Sequence, residues 1–294
     1  MIAPDRFLAI DWSGANSPAA QRKHIVAAEV ATAHIPTSPD VAKRNIAGNH
    51  VGLPSMLLHS GRTRQELIEW LCKNHATRYK SAVIGFDFSF SLPASFLRRH
   101  GCCSVQELWE LVAREGEQWL RRTPVPFWGR PGKKRPPMAP EDVLRTTERA
   151  INVHGIQPKS TFQIGGAGAA GTGSLRGMPL LLQLRQAGFS IWPFDPPQLP
   201  MVVEIYPRLL TGPVRKSNRE ERLRYLSASR FAHLAEDIRN ETAASEDAFD
   251  ALVSTLVMAE HAAAFPHLRQ ATDPHELLEG QIWRPRNSGN GNPP

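Results

Sequence analysis

Phe7-Leu8-Ala9-Ile10-Asp11-Trp12-Ser13-Gly14 is the stretch from which the fold is read. An apolar run ends in an acid and passes at once into turn residues, as a buried strand does on leaving a core. The pattern returns at Ser81-Ala82-Val83-Ile84-Gly85-Phe86-Asp87, again closed by an acid. A third buried strand, Val202-Val203-Glu204-Ile205-Tyr206, carries its acid inside. Shorter strands are expected at His24–Val30, Thr161–Ile164 and Phe189–Trp192. Between them the apolar spacing predicts helices over 64–75, 94–120, 141–153, 175–187 and 246–264, and a charged helical stretch over 215–239. Thr63 with Glu66 has capping-box spacing, and Ser245 caps the last helix. Strands that alternate with helices define an α/β protein with a mixed or mostly parallel sheet. Residues 1–283 read as one domain with an insertion at about 94–155, 284–294 as a disordered tail, and 31–60 as mixed turn signals without assignment.

The 294 residues are 41% hydrophobic and 21% charged, which excludes a fibrous or wholly disordered chain. Three cysteines, Cys72, Cys102 and Cys103, are too few for a zinc knuckle and an odd number for a disulfide framework. Together with an N-terminus that lacks a basic, apolar leader, they lead us to expect a cytoplasmic protein. The most apolar late stretch, 251–265, is interrupted by Glu260 and His261, so no membrane span is expected. The net charge of +7 permits an anionic partner without requiring one.

The acids carry the chemistry. Asp11 and Asp87 close buried strands, and strand ends in open α/β sheets are where ligands sit. Asp247 and Asp250 stand at i and i+3 in the first turn of a helix and share a face. Each also has a local explanation: Asp11 can cap its turn, Asp87 can accept from loop amides, and the helix dipole favours Asp247 and Asp250. Glu204, between Val203 and Ile205, has no such explanation, because a strand-interior acid needs a partner or a metal. Two carboxylates about 4 Å apart repel by about 4 kcal/mol at an effective dielectric of about 20, so convergence calls for cations. Hard oxygen ligands select Mg²⁺ or Mn²⁺, and two such ions clamp the attacking and leaving oxygens of a phosphodiester.

Ala9-Ile10-Asp11-Trp12-Ser13-Gly14, Gly85-Phe86-Asp87-Phe88-Ser89, Val203-Glu204-Ile205-Tyr206-Pro207 and Asp247-Ala248-Phe249-Asp250-Ala251-Leu252 follow one another in the order of the DUF429 family. The sequence resembles that family over roughly residues 7–265. Its members are classed as predicted nucleases with an RNase H-like fold. The resemblance implies a five-stranded mixed sheet flanked by helices, with a mainly helical insertion. The last motif is also similar to the Asp-x-x-Asp helix of RuvC-type resolvases. Metal-ligand roles are implied for Asp11, Asp87, Asp247 and Asp250, and Glu204 joins them as a catalytic candidate. Asp87 stands where many relatives of this fold carry glutamate. The implied function is two-metal hydrolysis of DNA or RNA, with Mg²⁺ or Mn²⁺ as cofactor.

The glycine loop admits other uses. Gly166-Ala167-Gly168-Ala169-Ala170-Gly171 satisfies GxGxxG, and Asp195 follows at about the distance a dinucleotide fold requires. A nucleotide- or dinucleotide-binding protein built on Gly165–Gly173 is therefore the first alternative. Its mid-chain position and the prolines Pro193, Pro196 and Pro197 count against it. Amides at the helix start near Ser174, with Ser13 and Gly14 of the first turn, also suit a substrate phosphate. Residues 121–140 hold six basic residues, Arg121, Arg122, Arg130, Lys133, Lys134 and Arg135, and no acid. Phe127 and Trp128 interleave with them, a composition that suits phosphates and unpaired bases. Residues 208–230 hold seven basic and two acidic residues and read most simply as a solvated helix face. A non-catalytic nucleic-acid-binding module is the second alternative.

Overall fold

A computed structural model describes residues 3–31, 56–231 and 233–285. In chain order its elements are β1 (Arg6–Asp11), α1 (Pro18–His24), β2 (Val26–Ala31), β3 (Leu57–His59), α2 (Arg64–Asn74), β4 (Ala82–Phe86), α3 (Ala94–Arg99), α4 (Val105–Arg122), α5 (Pro140–Val143) and α6 (Thr146–Arg149). They continue with α7 (Ala170–Gln186), β5 (Ser190–Ile191), β6 (Met201–Glu204), α8 (Pro207–Thr211), α9 (Arg219–Leu226), α10 (Glu236–Thr242), α11 (Glu246–Glu260) and α12 (Pro274–Glu279). The protein is α/β, with a six-stranded mixed sheet in the order β3-β2-β1-β4-β6-β5. β1, β4, β6 and β5 run parallel, while β2 and β3 are antiparallel to their neighbours.

Strand alternation sets the two layers. Leu8, Ile10, Ile84, Phe86 and Val202 face one side, where they pack with Leu67 of α2, Leu108 and Trp109 of α4, and Leu175 and Leu181 of α7. Phe7, Ala9, Val83, Val203 and Ile205 face the other, against Leu252, Leu256 and Met258 of α11. The segment read as an insertion shares its core with the sheet, because α4 lies in the first cluster. Helix α11 is also tied to the sheet by hydrogen bonds: Thr255 Oγ1 accepts from the Ala9 N–H at 2.9 Å and lies 3.1 Å from the Ala28 carbonyl.

Several elements differ from expectation. Among the described residues the sheet has six strands where five are expected, because β3 pairs with β2 at the end of the unassigned stretch. Most of that stretch lies outside the described residues. His24 closes α1, which Ser17 caps and Pro18 starts, so the strand begins at Val26. Thr161–Ile164 is no strand: its chain turns back on itself and makes one bridge, Gln163 to Trp128. The helix expected over 94–120 breaks at Gly101, which takes φ 71°. The one expected over 141–153 splits at Leu144, which is extended. The charged stretch becomes α9 and α10, with a 3-10 turn at Ser229–Phe231 between them. Helix α7 starts at Ala170, inside the glycine loop. Of the tail, residues 286–294 lie outside the described residues.

Candidate functional site

Parallel pairing brings the strand-end acids to one edge of the sheet. Ile10 pairs with Phe86 and Phe86 with Glu204, and the Asp87 N–H donates to the Ile10 carbonyl at 3.0 Å. Asp11 and Asp87 therefore leave adjacent strands at the same level. They follow Ile10 and Phe86, which face the α7 side, so alternation turns both acids toward the α11 side. There the start of α11, capped by Ser245 through the Ala248 N–H, presents Asp247 from its first turn and Asp250 from its second.

The four charges act on one another. Burial first, and then the charges of Asp87, Asp250 and Asp247, hold the Asp11 carboxyl well above the usual range. Burial and the Asp250 charge push Asp87 up to about 8. Burial likewise raises Asp250, whose side chain is 9% exposed. The opposing charge at all three is the ammonium of Lys216, which contacts Asp250 Oδ2 directly. Asp250 Oδ1 is buried without a partner. Asp247 is more open and meets His24 Nδ1 at 3.0 Å. Among the described residues no group of three or more His, Cys, Asp or Glu side chains is spaced to hold a metal ion. The donor set still suits a hard divalent cation in chemistry: the oxygens of four carboxyl groups, whose ionisation a bound cation would favour, one of them buried and without a partner.

Glu204 stands apart from this group. It shares the face of Phe86, its register partner, and so points toward the α7 side. Its carboxylate is answered there by Arg145, which is fully buried, with Nη2 at 2.5 Å and Nη1 at 2.9 Å. The Phe90 N–H donates to it as well, at 2.9 Å. Arg145 also binds Glu148 and the Glu279 carbonyl, so Glu204 belongs to a network that joins β6, α6 and α12.

The first turn and the glycine loop meet at a cleft of about 410 Å³, lined among others by Trp12, Gly14, Asp87, Lys159, Gly168 and Tyr206. The Trp12 indole donates to the Gly173 carbonyl at 3.1 Å. Arg64 binds the Ser13 carbonyl at 2.8 Å, and Arg176 binds the Gly14 carbonyl at 2.5 Å. Gly166 and Gly168 take φ 77° and 72°, which bends the chain into the start of α7. Ser174 lines the cleft, but its hydroxyl is engaged: it accepts from the Ser89 N–H at 3.0 Å and donates to the Ala170 carbonyl at 2.9 Å. It fixes the loop after Asp87 onto α7.

A second groove of about 780 Å³ borders the same turn, sharing Gly14, and is lined by Arg121, Arg122, Arg130, Lys133 and Arg176 against one acid, Glu117. Lys134 and Arg135 lie outside its lining, and Arg135 stacks over Trp128 at 5.6 Å. The interleaved aromatics are core residues. Phe127 is 3% and Trp128 8% exposed, and Phe127 stacks on Trp119 at 5.4 Å. Neither is free to stack on a base, which corrects the sequence reading. Lys216, Arg145 and Glu148 were not singled out from sequence. Lys216 lies in a charged run that reads as solvent-facing, and the partners of Arg145 are distant in the chain.

No family model, curated protein or solved structure matches the chain. No helix among the described residues is long and apolar enough to cross a membrane.

Proposed function

We propose that this chain is a metal-dependent nuclease of RNase H-like fold and a member of the DUF429 family. The observation that carries the proposal is the meeting of Asp11, Asp87 and the first two turns of α11 on one side of one sheet edge, with Asp250 Oδ1 buried and unpartnered. A mixed sheet flanked by helices supports the fold assignment. Asp11, Asp87, Asp250 and the more open Asp247 are the residues that would hold Mg²⁺ or Mn²⁺. When bound, such ions supply charge stabilisation at the attacking and leaving oxygens of a phosphodiester. The chain supplies the rest. The sheet fixes the spacing of Asp11 and Asp87, and Ser174 fixes the loop that follows Asp87. The basic groove beside Gly14 offers guanidinium and ammonium groups to backbone phosphates, and nucleic acid is the partner that matches it. Glu204, already paired with Arg145, serves as a structural anchor for this edge.

The test is cleavage of a labelled panel of single strand, duplex, RNA–DNA hybrid and branched DNA with Mn²⁺. Wild type is expected to cut at least one substrate and Asp11→Asn none. Equal activity of the two proteins would remove the carboxylate site from the reaction. A nucleotide also suits the cleft, whose walls combine the glycine loop with Trp12 and Tyr206. In that case a nucleotide at 100-fold its Kd would raise stability by about 2.7 kcal/mol, with no cleavage of the panel.

A further inference from the structure

Lys216 is the cation set against Asp11, Asp87 and Asp250, and its placement is built into the fold. It lies in the turn between α8 and α9, where its N–H donates to the Val214 carbonyl at 3.1 Å. Arg208 holds that Val214 carbonyl at 2.5 Å. The Lys216 carbonyl accepts from Arg222, which is only 5% exposed. The same guanidinium binds the Ala243 carbonyl through Nε at 3.1 Å and Nη2 at 2.8 Å. Ala243 sits just before the cap of α11, the helix that carries Asp247 and Asp250. One buried arginine thus ties the backbone of Lys216 to the chain entering α11. The ammonium reaches Asp250 from that mooring, with its side chain 19% exposed. It binds one oxygen of Asp250 and leaves the other, Oδ1, without a partner.

We propose that Lys216 is a resident counter-ion that competes with divalent cations for the acidic edge, so that a metal binds only by displacing its ammonium from Asp250. This rests on the metal-dependent reading of the site. A positive charge held against the carboxylates lowers the gain from adding a second cation, and breaking its contact is part of the binding step. Metal affinity is therefore set below what the carboxylates alone would give. The mooring through Arg222 uses the Lys216 backbone, so changing the side chain leaves it in place.

The experiment is Mn²⁺ binding by isothermal titration calorimetry at one pH, on wild type, Lys216→Gln and Lys216→Arg, each checked for folding by circular dichroism. Lys216→Gln is expected to bind Mn²⁺ about tenfold more tightly than wild type, a shift of about 1.4 kcal/mol. Lys216→Arg keeps the charge and should stay near wild type. If wild type binds Mn²⁺ and folded Lys216→Gln binds it equally or more weakly, the competition is refuted and the metal site stands. If neither binds Mn²⁺, both the competition and the metal-dependent reading fall.

Discussion

A carboxylate is tolerated inside a protein when other charges answer it, and this chain holds both an answered and an unanswered case. Glu29 of β2 is fully buried and meets Arg6, Arg78 at 2.7 Å, His59 at 3.2 Å and the Tyr79 hydroxyl at 3.2 Å. Burial alone would raise its pKa, but the hydrogen bonds from His59, Arg78 and Arg6 outweigh it and bring it down to about 2. A glutamate at 4.5 in the unfolded chain and about 2 in the folded one adds stability that is complete above 4.5. That stability is lost as pH falls toward about 2. Glu29→Gln should therefore cost about 3 kcal/mol at pH 7 in urea unfolding, and the gap to wild type should narrow as acid is added below pH 4.5. A gap that is constant with pH would refute the ionic account. Asp87 is the opposite case. Burial and Asp250 work against its charge, and Lys216 alone is set against them. Asp87→Asn removes that liability, so the unfolding free energy of the metal-free protein should rise by ~1 kcal/mol while Mn²⁺-dependent cleavage is abolished. A loss of stability would instead make Asp87 a structural acceptor.

At the scale of elements, the glycine loop shows how tertiary packing decides what sequence leaves open. Gly171 lies in the first turn of α7, and a Cβ there would meet the Thr161 carbonyl oxygen at 2.1 Å and Ile164 Cγ2 at 2.8 Å. The backbone at 161–164 therefore sits directly on the helix start, behind the Gly168–Ala170 wall of the cleft. Gly171→Ala should lower stability by about 1–3 kcal/mol, the usual cost of overpacking, and weaken cleavage further by shifting the loop. Unchanged stability and activity would show that the contact is dispensable. The same contact explains why α7 reads as starting at Leu175. Gly171 and Gly173 are poor helix formers, and their place in the helix comes from packing rather than propensity. Thr161–Ile164 fails in the reverse sense, being strand-like in composition but without a neighbour to form a ladder. Where apolar runs and caps are local signals, as in β1, β4, β6, Thr63 and Ser245, sequence and structure agree. Glu204 shows the limit of such signals. Its need for a partner is plain from Val203 and Ile205, but Arg145 lies 59 residues away and nothing local names it.

For the whole molecule, the excess of seven positive charges is legible in the composition, but its location is not. Folding places Arg121 and Arg122 from the end of α4, Arg176 from α7 and the loop residues Arg130 and Lys133 around one groove that adjoins the cleft at Gly14. Beside it, burial and then the Arg176 charge bring Arg64 down to about 10. The burial of Phe127 and Trp128 removes base stacking from this surface, so a bound nucleic acid would be held through its phosphates. Phosphate contacts have a measurable signature. Each released counter-ion steepens the fall of log K with log salt by about 0.9 on duplex and about 0.7 on single strands. The double variant Arg130→Gln with Lys133→Gln should flatten the slope by about 1 to 2 and weaken binding to all sequences alike. Lys134→Gln with Arg135→Gln, which lie outside the groove lining, should change the slope much less. Fluorescence anisotropy with labelled duplex and single strand over about 50–300 mM salt reads both variants in one series. Equal slopes for the two double variants would mean that the loop's charge is spread over solvent rather than gathered along a track that leads to the acids.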